Sequence, residues 1–506
     1  MVLALGVPFA AAQSVLGAPK NGTPAPTPSA TDASPAPLPT ATPESPDTAI
    51  PRLEAKIKAN PSDKESLQDL AGYYLGAGRN EQALALTQRL ISLGVKTAQV
   101  YFLDGVANQS LGRIPAATED FEQATTQEPT NAQILLTLTN LYLQTNRSAD
   151  AERVAKRATT FNATDKRVWE NYGLVLGQEG KFDDARTQFE AAEKIDPKDA
   201  TPIVLEARSY VSQKAIALAA ADFDRALTID PKSPDALLGK ASLEAGNHDV
   251  KGSIVTFEQL LAVETTDDAK ASVLVQEYQV YRDEKMNEDA LGALKRAETA
   301  YPNVPAVHIA YGDYDVSIGK DQSAGMAEWK QALGPSNDNP QALDRLGELA
   351  MVQNKKGDAL NYFKRLAEVV PNDPGVLGKL GQVQAANNQY KDARASYVQS
   401  FQLQRTPAAL AGLGAADLEL KNYKECRDVF SAIDRNATDF LKSNPQLLYV
   451  YGKCAMGVSD KPDARSAFTR FKTYVKPGTP LAAEIDRTLK SLGGGADPKP
   501  AHSPSH

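Results

Sequence analysis

Apolar and small side chains recur in this chain at two spacings, one helical and one much longer. In successive segments the apolar residues follow the roughly 3.6-residue period of a helix, and polar residues and turn formers separate the segments. The longer spacing is clearest in five alanines that fall 34 residues apart, Ala83, Ala117, Ala151, Ala185 and Ala219. A fixed period of this length predicts a tandem array of helical hairpins, in which each hairpin buries its apolar face only against its neighbours.

One block of this period indicates which side chains the packing selects. Gly173 is predicted on the first helix of the block and Ala185 on the second, where small size lets two backbones approach closely, while Phe189 fills the space beside them. Pro197 closes the block because a proline cannot continue a helix. The same stop signal recurs at Pro129, Pro231, Pro302 and Pro371.

These residues resemble the tetratricopeptide repeat family, whose small residues at the eighth and twentieth positions and closing proline are matched over residues 64–477. The resemblance implies an all-α fold, an α-solenoid in which helix-turn-helix hairpins form a right-handed superhelix. We expect about twelve repeats, which start near Lys64, Ala98, Ala132, Lys166, Ala200, Pro234, Ala271, Pro305, Pro340, Pro374, Pro407 and Pro445.

Four repeats depart from the pattern, and we expect altered curvature or a mobile joint there. The sixth has Ser253 in place of alanine, the eighth has Trp329 in place of phenylalanine, and the seventh and twelfth arrive about three and four residues late. The alternative is an ordinary bundle of amphipathic helices. A bundle has no reason to keep a 34-residue phase over five blocks, so the repeat array is favoured.

The N-terminal residues have a different composition. Residues 1–16 carry an apolar run that ends in small residues and predict a signal peptide, although no basic residue precedes Lys20. Residues 17–47 contain nine prolines and predict a disordered tether. We therefore expect a secreted or periplasmic protein, with a cytoplasmic one as the alternative.

Two short segments flank the array as predicted caps. Residues 48–63 predict an N-terminal cap helix, and residues 478–492 predict a C-terminal cap helix that covers the last apolar face with Leu481, Ile485 and Leu489. Residues 493–506 predict a disordered tail.

Charge and motifs argue against catalysis and against nucleic acid. The net charge of −8 and pI near 5.3 lack the basic excess that phosphate binding needs. No phosphate loop, zinc motif or nucleophile elbow occurs, and His248 and His308 are far apart in the sequence. We expect no catalytic residue, no metal, no cofactor, and membrane contact at most through the N-terminus.

The family resemblance implies that the second, fifth, sixth, ninth, twelfth and thirteenth positions of each repeat line a concave groove. The candidate peptide-binding residues are Asn140, Gln144, Arg167, Asn171, Arg208, Gln279 and Arg282. Amides donate and accept, so they can pair with the backbone of an extended peptide, while Arg167 and Arg208 suit a carboxylate. The alternative for each residue is an ordinary hydrophilic surface position.

One family subclass, the carboxylate clamp that grips chaperone tails, is excluded residue by residue. Asn140 and Asn171 match its two asparagines, but Leu136, Thr201 and Leu205 stand where its three cations belong. We therefore do not predict that function.

The two cysteines, Cys426 and Cys454, fall on successive predicted helices of the eleventh and twelfth repeats. In an exported chain one disulfide is conceivable, although two buried thiols at positions that want small residues are favoured.

The function expected from these features is a non-enzymatic scaffold that binds proteins or extended peptides in its groove, in envelope assembly or secretion. The alternative is a substrate-recruiting or regulatory subunit of a separate enzyme.

Overall fold

A computed structural model describes residues 44–335 and 338–493 of the chain. All regular structure in these ranges is helical, which confirms the all-α solenoid fold. Among these residues no helix combines the length and the apolar character that crossing a bilayer requires. The predicted signal peptide, residues 17–43 of the predicted tether, and the tail beyond residue 493 lie outside the described residues.

The described residues divide between Met286 and Asn287 into two compact units, which we call the N-terminal unit and the C-terminal unit. The helices of the N-terminal unit are α1 (Pro46–Ala59), α2 (Lys64–Gly76), α3 (Asn80–Ser92), α4 (Ala98–Ser110), α5 (Ile114–Gln127), α6 (Ala132–Gln144), α7 (Ser148–Phe161), α8 (Lys166–Gln178), α9 (Phe182–Ile195), α10 (Thr201–Ser212), α11 (Ile216–Ile229), α12 (Pro234–Gly246), α13 (Val250–Val263) and α14 (Asp267–Asp283).

The C-terminal unit contains the remaining helices and one π-helical turn, Asp315–Gly319, that continues α16. The helices are α15 (Asn287–Ala300), α16 (Pro305–Tyr314), α17 (Gln322–Ala332), α18 (Pro340–Val352), α19 (Lys356–Val369), α20 (Pro374–Ala386), α21 (Tyr390–Leu403), α22 (Pro407–Glu419), α23 (Tyr423–Asn436), α24 (Thr438–Ser443), α25 (Gln446–Gly457), α26 (Lys461–Lys472) and α27 (Pro480–Ser491).

Within each unit, consecutive helices pair as hairpins that stack in chain order. The five alanines of the 34-residue ladder are fully buried on the second helices. In the N-terminal unit the first helices of neighbouring hairpins also contact each other, as α6 contacts α8 and α8 contacts α10, whereas the second helices do so far less. The face formed by the first helices is therefore the concave one, and we call it the inner face.

The turn inside each hairpin repeats with the same period. The second of its three residues has positive φ and is Gly112, Asn146, Gly180, Lys214 or His248 in five successive hairpins. Glycine and asparagine adopt this conformation readily, whereas lysine and histidine are strained in it. Only part of this turn ladder is therefore visible as a sequence signal.

Two of the irregular repeats, the eighth and the twelfth, have identifiable structural features. The short helix α24 is inserted before α25, which explains why the twelfth repeat starts late. In the eighth repeat, the Trp329 indole donates to the Ile309 carbonyl at 3.3 Å and to Asp313 Oδ1 at 3.2 Å. The larger side chain is thus accommodated beside the π-helical turn.

Helices α1 and α27 lie at the two segments that the sequence predicts as caps. The composition predicts Pro46 and Asp47 in the tether, but both lie in α1, because Ser45 Oγ accepts a hydrogen bond from the Asp47 N–H at 3.3 Å and starts the helix. At the other end, Ile485 of α27 is 1% exposed and packs in the same apolar cluster as Phe468.

Candidate peptide-binding face

The predicted binding residues of the N-terminal unit lie on four first helices. Asn140 and Gln144 are exposed on α6, Arg167 is exposed on α8, and Arg208 is half-buried on α10. The last two, Gln279 and Arg282, lie on α14, where Gln279 is exposed. The candidates are therefore spread over the unit and do not converge on a single pocket.

Two of the predicted residues are brought into direct contact. The Asn171 Nδ2 donates to Asn140 Oδ1 at 2.7 Å, which joins α8 to α6 across neighbouring repeats. The Asn171 side chain is only 7% exposed, and its Oδ1 is buried without a hydrogen-bond partner. This amide pair links two neighbouring repeats on the inner face.

The predicted cations are already paired with carboxylates of the chain. Arg167 Nη2 lies 2.7 Å from Asp165, and Arg208 Nη2 lies 2.6 Å from Asp235. Such exposed ion pairs contribute about 0 to 1 kcal/mol, so a ligand carboxylate could exchange with them. The structure does not present either arginine as an unoccupied anion site.

Arg282 on α14 is also paired with a carboxylate of the chain. Its Nη2 lies 2.8 Å from Asp283, and its guanidinium stands 5.6 Å from the centre of the Tyr278 ring. A cation above an aromatic face is stabilised by the ring quadrupole, so this arginine is held in place at the helix end.

The inner positions of α4 and α6 form an uncharged surface, which we call the neutral face. Phe102, Val106 and Leu143 are half-buried on it and pack against one apolar cluster. No ionisable side chain occurs among its members, which are Gln99, Phe102, Leu103, Val106, Gln109, Ser110, Gln133, Leu136, Thr137, Asn140, Leu143 and Gln144. Amides with apolar side chains between them suit an extended polypeptide with few charges.

Next to the neutral face, Glu170 of α8 has an unusual environment. Burial, reinforced by the carboxylates of Asp199 and Asp165, raises the pKa of Glu170 to about 7. Its Oε1 is buried without a hydrogen-bond partner. Lys166 is nearby, but it is held 3.0 Å from Asp196 and also pairs with Asp199. The sequence gives no signal for this burial.

The inner positions of the C-terminal unit have a different chemistry. Arg345 Nε of α18 lies 3.0 Å from Asp313, and Lys379 of α20 lies 2.5 Å from Asp344 and 2.7 Å from Glu348. Successive repeats are thus tied together by charges that neutralise one another, in contrast to the amide pair of the N-terminal unit.

The two histidines of the described residues lie in separate places. His308 is buried, with Nδ1 2.8 Å from Glu328 Oε2 and Nε2 2.8 Å from the Pro302 carbonyl, whereas the exposed His248 contacts Glu284. Throughout the described ranges, no group of three or more His, Cys, Asp or Glu is arranged to hold a metal ion.

The two cysteines are joined in the structure as a disulfide between α23 and α25. The Cα atoms of Cys426 and Cys454 are 5.6 Å apart, within the range that a disulfide requires. Both residues are fully buried.

Comparisons with known proteins agree with this geometry. Residues 110–170, 171–234 and 345–409 match family models described as tetratricopeptide repeat. These three ranges are therefore similar to tetratricopeptide repeats, in agreement with the resemblance found in the sequence.

Similarity to individual proteins is low. The chain is 21% identical over 206 residues to a tetratricopeptide repeat protein 21 homolog of Caenorhabditis briggsae, which covers 40% of the chain and 16% of that protein. It is 25% identical over 219 residues to anaphase-promoting complex subunit 3 of Schizosaccharomyces pombe, covering 43% of the chain and 28% of the relative. The chain thus spans less than a third of the length of either relative.

Among solved structures, the chain is similar to YrrB, described as a TPR protein with an unusual peptide-binding site. The identity is 23% and the TM-score 0.32, and the match covers 37% of this chain and 97% of YrrB.

Proposed function

We propose that this chain is a non-enzymatic scaffold that binds an extended peptide, or an extended segment of a partner protein, on the inner face of its N-terminal unit. Tetratricopeptide repeats support an interaction scaffold in general. The observation that carries the more specific proposal is the neutral face on α4 and α6, whose Asn140 is hydrogen-bonded to Asn171 of α8.

The physical basis is the chemistry of an extended backbone. Each residue of an extended segment presents one N–H and one C=O that need partners when water is displaced. The exposed amides Asn140 and Gln144 can supply both roles to such a backbone without regard to its side chains. When the segment covers the half-buried Phe102 and Val106, their apolar surface is removed from water, which contributes favourable free energy to binding.

The test replaces both asparagines with alanine, Asn140→Ala with Asn171→Ala. Random-peptide display would first select peptides that bind the full chain. These peptides would then be synthesised with acetylated and amidated ends, and fluorescence anisotropy would give their Kd values. We expect the double variant to lose about tenfold or more in affinity, in line with the loss of one or two ligand hydrogen bonds. Folding should be little affected, because both partners of the internal hydrogen bond are removed together.

A matched control places the same change on a second helix. Gln123→Ala with Gln127→Ala removes two exposed amides from α5, away from the inner face, and should leave the Kd unchanged. Equal affinity of the wild type and the asparagine variant would remove the inner face from the binding site.

We further propose that the protein is exported and that its partner acts in envelope assembly or secretion, as residues 1–16 suggest. The alternative is a subunit that recruits substrates or regulates a separate enzyme. Copurification from the envelope fraction distinguishes them, because one dedicated enzyme at fixed stoichiometry would support the recruiter. N-terminal sequencing of the mature protein would test export directly.

A further inference from the structure

Two neighbouring acceptor oxygens of α8 have no hydrogen-bond donor. Oε1 of Glu170 and Oδ1 of Asn171 are buried, and neither finds a partner in the part of the chain that the structure describes. Asn171 is more than nine-tenths buried, and its Nδ2 bonds the exposed Asn140, so this amide reaches toward the inner face. Buried acceptors are normally satisfied, which points to donors that arrive with a ligand.

The charges around Glu170 identify the kind of donor. Lys166 and Arg167, the cations adjacent in sequence, already pair with other carboxylates. The carboxylate of Asp199 adds negative charge close to Glu170, which is itself only half-buried. A group that carries several N–H donors and a positive charge suits acceptors of this kind and would compensate the excess of carboxylates.

We propose that Glu170 and Asn171 form a subsite that accepts a cationic side chain, lysine or arginine, of the bound polypeptide. This inference rests on the proposed function, because it names the residue type that the inner face selects within an extended ligand. The ligand would place uncharged residues on the neutral face of α4 and α6 and its basic residue next to them on α8.

The first experiment measures the preference for a basic residue. A peptide selected as above is synthesised with Lys or Gln at each position in turn, and its Kd for the full chain is measured at pH 8. At one position Lys should bind about tenfold more tightly than Gln. In Glu170→Gln this preference should fall below about twofold, since the neutral amide removes the charge with little change in shape.

The second experiment uses the protonation of Glu170. With a pKa near 7, this carboxyl is mostly ionised at pH 8 and about nine-tenths protonated at pH 6. The Lys preference of the wild type should therefore decrease about fivefold to tenfold from pH 8 to pH 6. The Glu170→Gln variant should have the same small preference at both values.

Two further variants control for charge and for folding. Glu190→Gln removes a half-exposed carboxylate from α9, outside the inner face, and should keep the Lys preference. Glu170→Asp keeps the charge with a shorter reach and should retain part of the preference, which allows a test even where Glu170→Gln fails to fold.

The outcomes separate this inference from the proposed function. If Lys and Gln peptides bind equally while the asparagine double variant weakens both, the cationic subsite is overturned and the peptide-binding face stands. A Lys preference that persists unchanged in Glu170→Gln overturns the role of Glu170. If no displayed peptide binds, the proposed function itself is overturned.

Discussion

Gly173 and Phe189 illustrate how single residues close a hairpin of this chain. Gly173 lies on α8, and a Cβ added there would overlap the ring of Phe189, which is 2% exposed on α9 and cannot move away. The same arrangement recurs between Gly105 and Phe121 two hairpins earlier in the N-terminal unit, and between Gly347 and Phe363 in the C-terminal unit. A missing side chain on the first helix is thus a packing requirement.

We predict that Gly173→Ala destabilises the N-terminal unit by about 1 to 3 kcal/mol, the usual cost of overpacking. Gly177→Ala in the same helix is the control. Its added Cβ would meet only Ser209 Oγ at 4.0 Å, so it should be neutral or stabilise by about 0.5 to 1 kcal/mol through helix propensity. Thermal melts of the full chain followed by circular dichroism measure both. A Gly173→Ala variant as stable as Gly177→Ala would contradict the packing argument.

At the scale of helices, α10 and α11 are connected by a buried carboxyl group. Glu206 on α10 is 7% exposed, with Oε2 3.3 Å from Arg225 Nη2 of α11 and Oε1 3.4 Å from the Tyr210 hydroxyl. Burial, together with the nearby carboxylate of Asp222, raises the pKa of Glu206 to about 7. The desolvation cost of the ionised form therefore exceeds what the arginine returns.

A pH dependence follows from this shift. Because the folded pKa lies above the unfolded value near 4.5, the native state binds the proton more tightly. The stabilisation is complete below about pH 4.5 and is lost as the pH rises toward 7. We predict that the free energy of unfolding of the N-terminal unit decreases between pH 5 and pH 8, and that Glu206→Gln reduces this decrease. Urea titrations at both pH values measure this free energy. An equal decrease from pH 5 to pH 8 in the wild type and in Glu206→Gln would contradict the prediction.

The helices are also the scale at which sequence and structure can be compared. The predicted starts at Lys64, Ala98 and Lys166 coincide with the first residues of α2, α4 and α8. The seventh repeat differs, since α14 begins at Asp267 rather than Ala271. The small residues recur with the period of the array, so their positions predict the regular hairpins well. They contain no information on an inserted element such as α24 or on a π-helical turn.

The candidate site was predictable only in part, for a similar reason. Asn140 and Asn171 were recognisable because their repeat positions face inward by family analogy. The pairing of Arg208 with Asp235 and the burial of Glu170 were not, because they depend on the distance and angle between neighbouring repeats. The position of a residue within its repeat can be read from the periodic sequence. The contacts of its side chain with the neighbouring repeat cannot, because they do not follow that period.

At the scale of the whole molecule, the two units differ in the chemistry of their inner positions. The inner positions of the N-terminal unit hold amides and carboxyl groups with raised pKa, including Glu170. Those of the C-terminal unit hold neutralised ion pairs such as Lys379 with Glu348, and this unit also contains the disulfide. In a stacked array each repeat contacts only its neighbours, so each feature should act locally. Peptide binding is accordingly proposed for one unit and covalent stabilisation for the other.

The disulfide allows a direct test of this locality. Cys426 and Cys454 are 28 residues apart, and closing a loop of that size stabilises the folded state by about 3 to 4 kcal/mol through the chain entropy of the unfolded state. We predict that a reducing agent accelerates amide hydrogen exchange in α22 to α27 and leaves residues 44–286 unchanged.

The control for reduction is the double variant Cys426→Ala with Cys454→Ala, in which the reducing agent should have no effect on exchange. Unchanged exchange in the reduced wild type would mean that the two cysteines act as buried thiols, the alternative that their small size also permits. Faster exchange in the N-terminal unit as well would mean that stability is shared across the chain. In that case the nearest-neighbour description of the array would be wrong, because loss of one cross-link between α23 and α25 could then weaken helices that it does not touch.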